Sequence, residues 1–222
     1  MRLTPELVLR AYAGGVFPMA ETAQATEIHW FEPRRRGVMP LDGFHIARSL
    51  RRTRRRGGFR FRCDGDFGGV VAACADRPET WINADIERVF LELHALGLAH
   101  SIEVLCPDGR LAGGVYGLAM GGAFFAESMV SRVTGGSKMA LAELVARLVR
   151  GGYRLMDTQY LTPHLASLGG VEIARADYRR RLAEALATPA DAAHAFARTN
   201  PEAPDGAFWS EEPVDRKMPD QP

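Results

Sequence analysis

Phe124-Phe125-Ala126-Glu127-Ser128-Met129 and Leu155-Met156-Asp157-Thr158-Gln159-Tyr160 decide how this chain is read. Each is an apolar strand pattern broken by a carboxylate, and carboxylates rarely enter buried strands. Strand side chains alternate between faces, so Asp157 and Gln159 are expected to point one way, and Phe125, Glu127 and Met129 to share a face. An ionised carboxylate taken out of water without a partner costs several kcal/mol, so each acid must pair or face a cleft. One such segment reads equally well as a structural ion pair or a solvated edge; two in the same chain point toward a site.

Working outward, the stretch between them holds a helix from Ser137 to Arg150, with Leu141, Leu144, Val145 and Leu148 at helical spacing and Gly151-Gly152 as its stop. Upstream, strands Ser101–Cys106, Leu111–Ala119 and Ala123–Met129 are joined by Asp108-Gly109 and Gly121-Gly122, an antiparallel meander. Downstream come a strand from Tyr153 to Gln159, a Thr162-capped helix with Pro163 at its first position, and a basic, alanine-rich helix from Ala176 to Ala187. Nearer the start, Thr4 caps a helix ending at Gly14-Gly15, Glu27–Phe31 reads as a strand, His45–Arg56 as a basic helix and Arg60–Cys63 as a strand. Phe67–Ala75 and an Asn83-capped Ala84–Leu96 read as helices. Strands and helices in this order predict an α+β fold, a mixed sheet flanked by helices. The expected organisation is a small N-terminal segment over 1–43, a catalytic domain over 44–188 and a Pro-rich, acidic tail over 189–222, expected to be poorly ordered, in which Phe208-Trp209 is an apolar pair able to dock on the body.

A chain of 222 residues, 46% hydrophobic and 25% charged, has the makeup of a globular protein with one main core. The start lacks a secretory pattern, and the longest apolar stretch, Leu111 to Ala126, is interrupted by glycines and too short to span a bilayer, so a cytoplasmic protein with no membrane partner is expected. Cys63, Cys74 and Cys106 are at no metal-like spacing and read as buried small hydrophobes; no metal is expected. The net charge is only +1, yet no acidic residue lies between Asp42 and Asp64, where Arg48, Arg51, Arg52, Arg54, Arg55 and Arg56 crowd together with Arg60 and Arg62. Guanidinium groups suit phosphate, so the expected partner is a nucleic acid, without information on its sequence.

Taken in order, the motifs resemble leucyl/phenylalanyl-tRNA-protein transferases from about Thr4 to Ala187. The likeness is carried by Ala11-Tyr12 with Gly15, Phe17 and Pro18; Trp30-Phe31 with Pro33 and Arg36; His45-Ile46 with Arg48-Ser49; and Cys74-Ala75 with Thr80-Trp81-Ile82. It continues through Leu93-His94, His100-Ser101, Glu103-Val104, Gly113-Gly114, Tyr116-Gly117, Glu127-Ser128-Met129, Ser137-Lys138, Asp157 with Gln159, and His164-Leu165 with Ser167-Leu168-Gly169. Each motif is weak alone, and their succession is specific. Where the family usually has Gly, Phe, Cys and Trp, this chain has Ala126, Val130, Thr158 and Leu105. Family members usually carry a Gly-rich stretch ahead of the first helix, whereas the sequence here starts almost at that helix.

The resemblance implies a fold like the Gcn5-related N-acetyltransferases beside a small N-terminal segment. It implies transfer of Leu or Phe, less often Met, from aminoacyl-tRNA to the α-amine of proteins beginning with Arg or Lys, a step of the N-degron pathway of protein degradation, with no cofactor. A monomer is expected. The site residues it implies are Asp157, Gln159 and Glu127, and the donor pocket is expected from Trp30, Phe31, Trp81, Val115, Phe124, Leu141, Leu144 and Met156. Arg48, Arg51, Arg52, Arg54, Arg55 and Arg56 are expected on the tRNA phosphates. Asp157 is read as orienting Gln159, Gln159 as contacting the amine or oxyanion, Glu127 as holding the acceptor terminus, and His164 as a structural hydrogen-bonding residue. Asp157→Ala is expected to abolish transfer in a folded protein. Two rivals stand beside this reading. One is an acyl-CoA-dependent N-acyltransferase whose Arg132-Val133-Thr134-Gly135-Gly136-Ser137 loop cradles pyrophosphate on its amides. The other is a non-catalytic RNA-binding protein.

Overall fold

In the computed structural model, which describes residues 3–197, Thr4 accepts the Leu7 amide at 3.3 Å and starts α1 (Pro5–Ala13). A two-stranded antiparallel ribbon follows, β1 (Phe17–Ala20) on β2 (Ile28–Phe31). Next in the chain are β3 (Arg35–Val38), α2 (Arg48–Gly57), β4 (Arg60–Cys63), α3 (Phe67–Ala75) and α4 (Ala84–Ala95). The meander is β5 (Ala99–Leu105), β6 (Leu111–Met120) and β7 (Ala123–Ser131), followed by α5 (Gly136–Arg150) and β8 (Leu155–Gln159). The described chain closes with α6 (Pro163–Ala166), β9 (Val171–Ala174), α7 (Arg175–Ala187) and α8 (Ala192–Ala195).

The main sheet has seven strands in the order β4-β5-β6-β7-β8-β3-β9. Its pairs are antiparallel except β7 with β8. A parallel pair needs a crossover, and α5 supplies it. That helix begins directly on the sheet: a Cβ at Gly113 of β6 would stand 2.3 Å from the Gly136 carbonyl carbon, so only glycine permits the contact. One sheet face packs Tyr116, Phe125 and Leu155 under residues of α1, α3, α4 and α7. The other packs Val115, Phe124 and Met156 under α2, α5 and the short α8. Among the described residues no helix is long and apolar enough to cross a membrane.

The structure corrects several sequence expectations. The basic helix starts at Arg48, after Ala47 in an extended conformation, not at His45. Strands β1, β3 and β9 were not anticipated, because four-residue strands such as Arg35-Arg36-Gly37-Val38 carry too little apolar alternation to show. β3 belongs to the main sheet, between β8 and β9. Residues 189–197 are packed on the body, where buried Phe196 stacks on His100 at 3.8 Å between ring centroids. Phe208 and Trp209 lie outside the described residues.

Phe125, Glu127 and Met129 do not share a face. The β6–β7 register runs Gly117↔Ala126 and then Tyr116↔Ser128, leaving Glu127 as the extra residue of a β-bulge. Phe125 accordingly sits in one core, while Met129 packs against the other.

Candidate active site

β7 and β8 pair only over Ala123–Phe125 and Leu155–Asp157. Beyond that point the strands part, and a cleft of about 290 Å³ opens between them. Ala126, Glu127, Ser128 and Met129 form one wall, and Thr158, Gln159 and Tyr160 the other. Val115 and Leu141 add apolar surface, as do Trp81, Phe17 and Met19. Arg77, Thr162, His164 and Leu165 complete the lining. An apolar hollow with a few convergent polar groups is the usual form of a small-ligand site.

Asp157 stands behind the cleft, fully buried. Arg36 grips it through two parallel bonds, Nε to Oδ1 at 2.8 Å and Nη2 to Oδ2 at 2.6 Å. The Tyr178 hydroxyl donates to Oδ2 at 2.7 Å, and the Gln159 backbone N–H donates to Oδ1 at 2.9 Å. The guanidinium lies between the Phe17 and Tyr178 rings, 4.5 Å from each centroid, and gives Nη1 to the Gly15 carbonyl at 2.9 Å. Burial would strip charge from this arginine, but the bonds to Asp157 outweigh it and raise its pKa. β3 can lie this close because Gly37 has no side chain: a Cβ there would stand 2.6 Å from the Tyr160 carbonyl carbon.

Gln159 adopts a left-handed backbone, φ 57°, a conformation uncommon outside glycine and frequent at functional sites. Its Nε2 donates to Glu127 Oε1 at 3.4 Å. Glu127 is half-buried, and burial pushes its carboxyl up to about 8. The enclosed Tyr12 hydroxyl beside it pulls the value back somewhat, although no well-formed hydrogen bond joins the two. Arg77, also on the lining, gives Nη2 to Ser128 Oγ at 2.5 Å and Nε to the Cys74 carbonyl at 2.7 Å. Among the described residues no group of His, Cys, Asp and Glu is placed to hold a metal ion.

Of the residues expected in the donor pocket, Trp81, Val115 and Leu141 line the cleft. Phe124, Leu144 and Met156 are buried core on the α5 side of the sheet instead. Trp30 and Phe31 lie on β2 and pack against the other core, with Phe31 stacked on Phe17. Helical and strand periodicity marks apolar positions but not whether a ligand or a neighbouring element covers them. Met129, Ala126, Phe17 and Met19 were missed; the β7 bulge turns Met129 toward the cleft, and no sequence pattern announced it. His164 was expected to make a structural hydrogen bond; it lines the cleft, its Nε2 enclosed and without a partner among the described residues. Burial, helped by Lys138, lowers its pKa.

All six arginines of the basic cluster sit on α2. Arg48, Arg52, Arg55 and Arg56 are exposed, and Arg54 lies over the Phe61 ring, 5.4 Å from its centroid. α2 packs through Leu50 near Gly135, at the start of α5. The loop read as a pyrophosphate cradle has four of its six amides engaged: Arg132 and Val133 donate to the Ala112 carbonyl, Gly136 to the Val133 carbonyl, and Ser137 to Ser131 Oγ at 3.2 Å.

The backbone resembles a crystal structure of FemX, with a TM-score of 0.51 and 10% identity over 76% of this chain and 66% of that one, a likeness of fold alone. The mixed sheet flanked by helices agrees with the α+β architecture expected from the sequence. The family model described as leucyl/phenylalanyl-tRNA protein transferase matches residues 38–183, and the model of its N-terminal domain matches residues 1–34. A leucyl/phenylalanyl-tRNA–protein transferase of Cereibacter sphaeroides is 61% identical over 189 residues, 85% of this chain and 88% of the relative. Those of Jannaschia sp. and Ruegeria pomeroyi are 57% and 54% identical, covering 85% and 94% of this chain and 89% and 97% of their own lengths. Since the two family models together match residues 1–34 and 38–183 and these relatives align over 85% or more of it, the chain belongs to the leucyl/phenylalanyl-tRNA–protein transferase family.

Proposed function

We infer that this protein transfers Leu or Phe, less often Met, from aminoacyl-tRNA to the α-amine of proteins that begin with Arg or Lys, in the cytoplasm and as a monomer, marking them for N-degron-dependent degradation. The observation that carries the reading is the juxtaposition of the Gln159 amide and the Glu127 carboxyl on opposite walls of an apolar cleft.

The chemistry asks little beyond alignment. The acceptor nitrogen attacks the ester carbonyl carbon, a C–N bond forms, and the C–O bond to the tRNA ribose breaks. The amine's proton finishes on that oxygen or on solvent. Holding the two reactants together can remove about 7 to 11 kcal/mol of barrier. A free α-amine has a pKa near 8, close to the value of about 8 on Glu127, so a proton passes between them at little cost. Glu127 serves as the acceptor's anchor and proton partner, and Gln159 Nε2 as a donor to the oxyanion. Asp157, out of reach of the cleft, acts by holding Gln159. The apolar lining around Val115, Met129 and Leu141 accepts the donor side chain, whose burial is worth about 1.5 to 3 kcal/mol.

The α2 arginines bind tRNA phosphates, so affinity falls steeply with salt, and replacing Arg52, Arg55 and Arg56 with Gln reduces the slope of log K against log[salt] by roughly one per lost contact. Affinity that hardly changes between low and moderate salt removes this role. The deciding assay uses tRNAs charged separately with Leu, Phe and Met and peptides that differ only in their first residue. Transfer of Leu or Phe to Arg- and Lys-initiated peptides is the expected result. No transfer from any charged tRNA, with acetyl-CoA raising the melting temperature, replaces this reading by acyl-CoA chemistry.

A further inference from the structure

Asp157 is placed between two elements that contribute nothing to the cleft surface next to Gln159. Arg36 comes from β3 and Tyr178 from α7, yet together they supply three of the four hydrogen bonds that Asp157 accepts. The fourth comes from the Gln159 backbone, at the residue whose left-handed φ of 57° turns its side chain toward Glu127. A fully enclosed carboxylate with one anchor has freedom to rotate; with a forked guanidinium on one edge and a phenol on Oδ2, its Oδ1 has a single position from which to receive the Gln159 amide. The anchor is itself braced: Arg36 is flanked by Phe17 and Tyr178 and tied to Gly15, so the α1–β1 turn, β3 and α7 converge on one guanidinium.

We propose that Arg36 and Tyr178 are positioning residues for the transfer step, acting through Asp157 to hold the Gln159 carboxamide where charge develops. The inference rests on the functional reading above and adds to it residues from outside the splayed strands. Neither side chain lines the cleft, so neither contributes to ground-state binding of the donor, and their loss is felt in kcat.

The test is Tyr178→Phe, which keeps the ring on Arg36 and removes only the hydroxyl. The expected result is kcat lowered about tenfold, the fold-change matching one buried hydrogen bond, with KM for leucyl-tRNA within twofold of the parent. Amide hydrogen exchange adds a readout separate from catalysis: the Gln159 N–H exchanges faster while the amides of β5 keep their protection. Arg36→Lys, which keeps the cation but loses the fork, gives the same split with a larger fall and decides the matter if Tyr178→Phe does not fold. A kcat within twofold of the parent, a raised KM at constant kcat, or exchange accelerated uniformly across the sheet overturns the proposal. If the parent itself transfers no amino acid, it is the functional reading that fails, and Gln159 exchange still reports whether Tyr178 holds Asp157.

Discussion

Arg36 with Asp157 and Arg147 with Glu143 are both buried ion pairs with short bonds, and they do different work. Arg147 and Glu143 lie one helical turn apart on α5, joined at 2.9 Å, and Arg147 spends Nη1 on the Ala195 and Ala197 carbonyls at 3.0 Å. That pair fastens the end of the described chain to the body. The Arg36 pair fastens three elements together as well, but Asp157 Oδ1, besides accepting Arg36 Nε, accepts the backbone N–H of a residue of the cleft wall. Glu103 of β5 makes the same point from within a strand: it is fully buried, and its partners Ser101, Gly65 and Arg62 are remote from the cleft lining. A carboxylate inside a strand therefore marks a costly group that needs partners; where the last bond goes separates structure from site.

The comparison can be broken first at Asp157. Asp157→Ala leaves Arg36 enclosed without its partner, so it loses both transfer and about 3–5 kcal/mol of stability, measured by amino-acid incorporation and by denaturant unfolding. The expectation of an inactive but intact Asp157→Ala protein is thereby revised, since the carboxylate is fully buried. Arg147→Met costs a similar 3–5 kcal/mol by stranding Glu143, but kcat per folded molecule stays at the parental value; a fall in kcat at full folding erases the distinction between the two pairs. Gln159→Ala, which keeps the backbone bond to Asp157, lowers kcat about 100- to 1,000-fold with little change in melting temperature.

Glu127 sharpens the contrast through pH. Its folded pKa of about 8 lies above the ordinary 4.5, so the folded state holds a proton that the unfolded chain releases. The stabilisation is complete below about 4.5, declines as pH rises, and is gone above about 8. Glu127→Gln removes that decline, and melting temperatures of parent and variant across pH 4–9 should converge at the acid end and separate at the alkaline end in the variant's favour. Tyr12→Phe is the smallest change: without the hydroxyl that holds the Glu127 carboxyl down, the inflection moves upward in pH, read from the same melting series.

Most of the scaffold was legible because its signals are local. The meander turns at Asp108-Gly109 and Gly121-Gly122, the Thr4, Asn83 and Thr162 caps, and the α5 stripe each announce themselves within a few residues. The pairing of Glu127, Asp157 and Gln159 was legible as unexplained polarity in strands. What stayed hidden is non-local. Arg36 stands out in Arg34-Arg35-Arg36 only as a motif position of the resemblance, and nothing near it in the sequence names its partner, a carboxylate 121 residues later. The bulge at Glu127 depends on a register with β6 that no single strand encodes, and it decides which of Met129 and Val130 meets the cleft. Phe124, Leu144 and Met156 carry the same apolar pattern as Val115 and Leu141 and share their layer on the α5 side of the sheet; only Val115 and Leu141 stand where β7 and β8 part.

The arrangement around Asp157 also bears on how the protein is made. Arg36 leaves the ribosome early, Asp157 follows 121 residues later, and Tyr178 another 21 after that. β3 cannot take its place between β8 and β9 until both have been synthesised, so its arginine must wait in solution, or against temporary neighbours, while most of the chain emerges. Closing a loop of that length makes this a late folding event. A nascent chain therefore lacks the Arg36–Asp157–Tyr178 arrangement until its last quarter has been made.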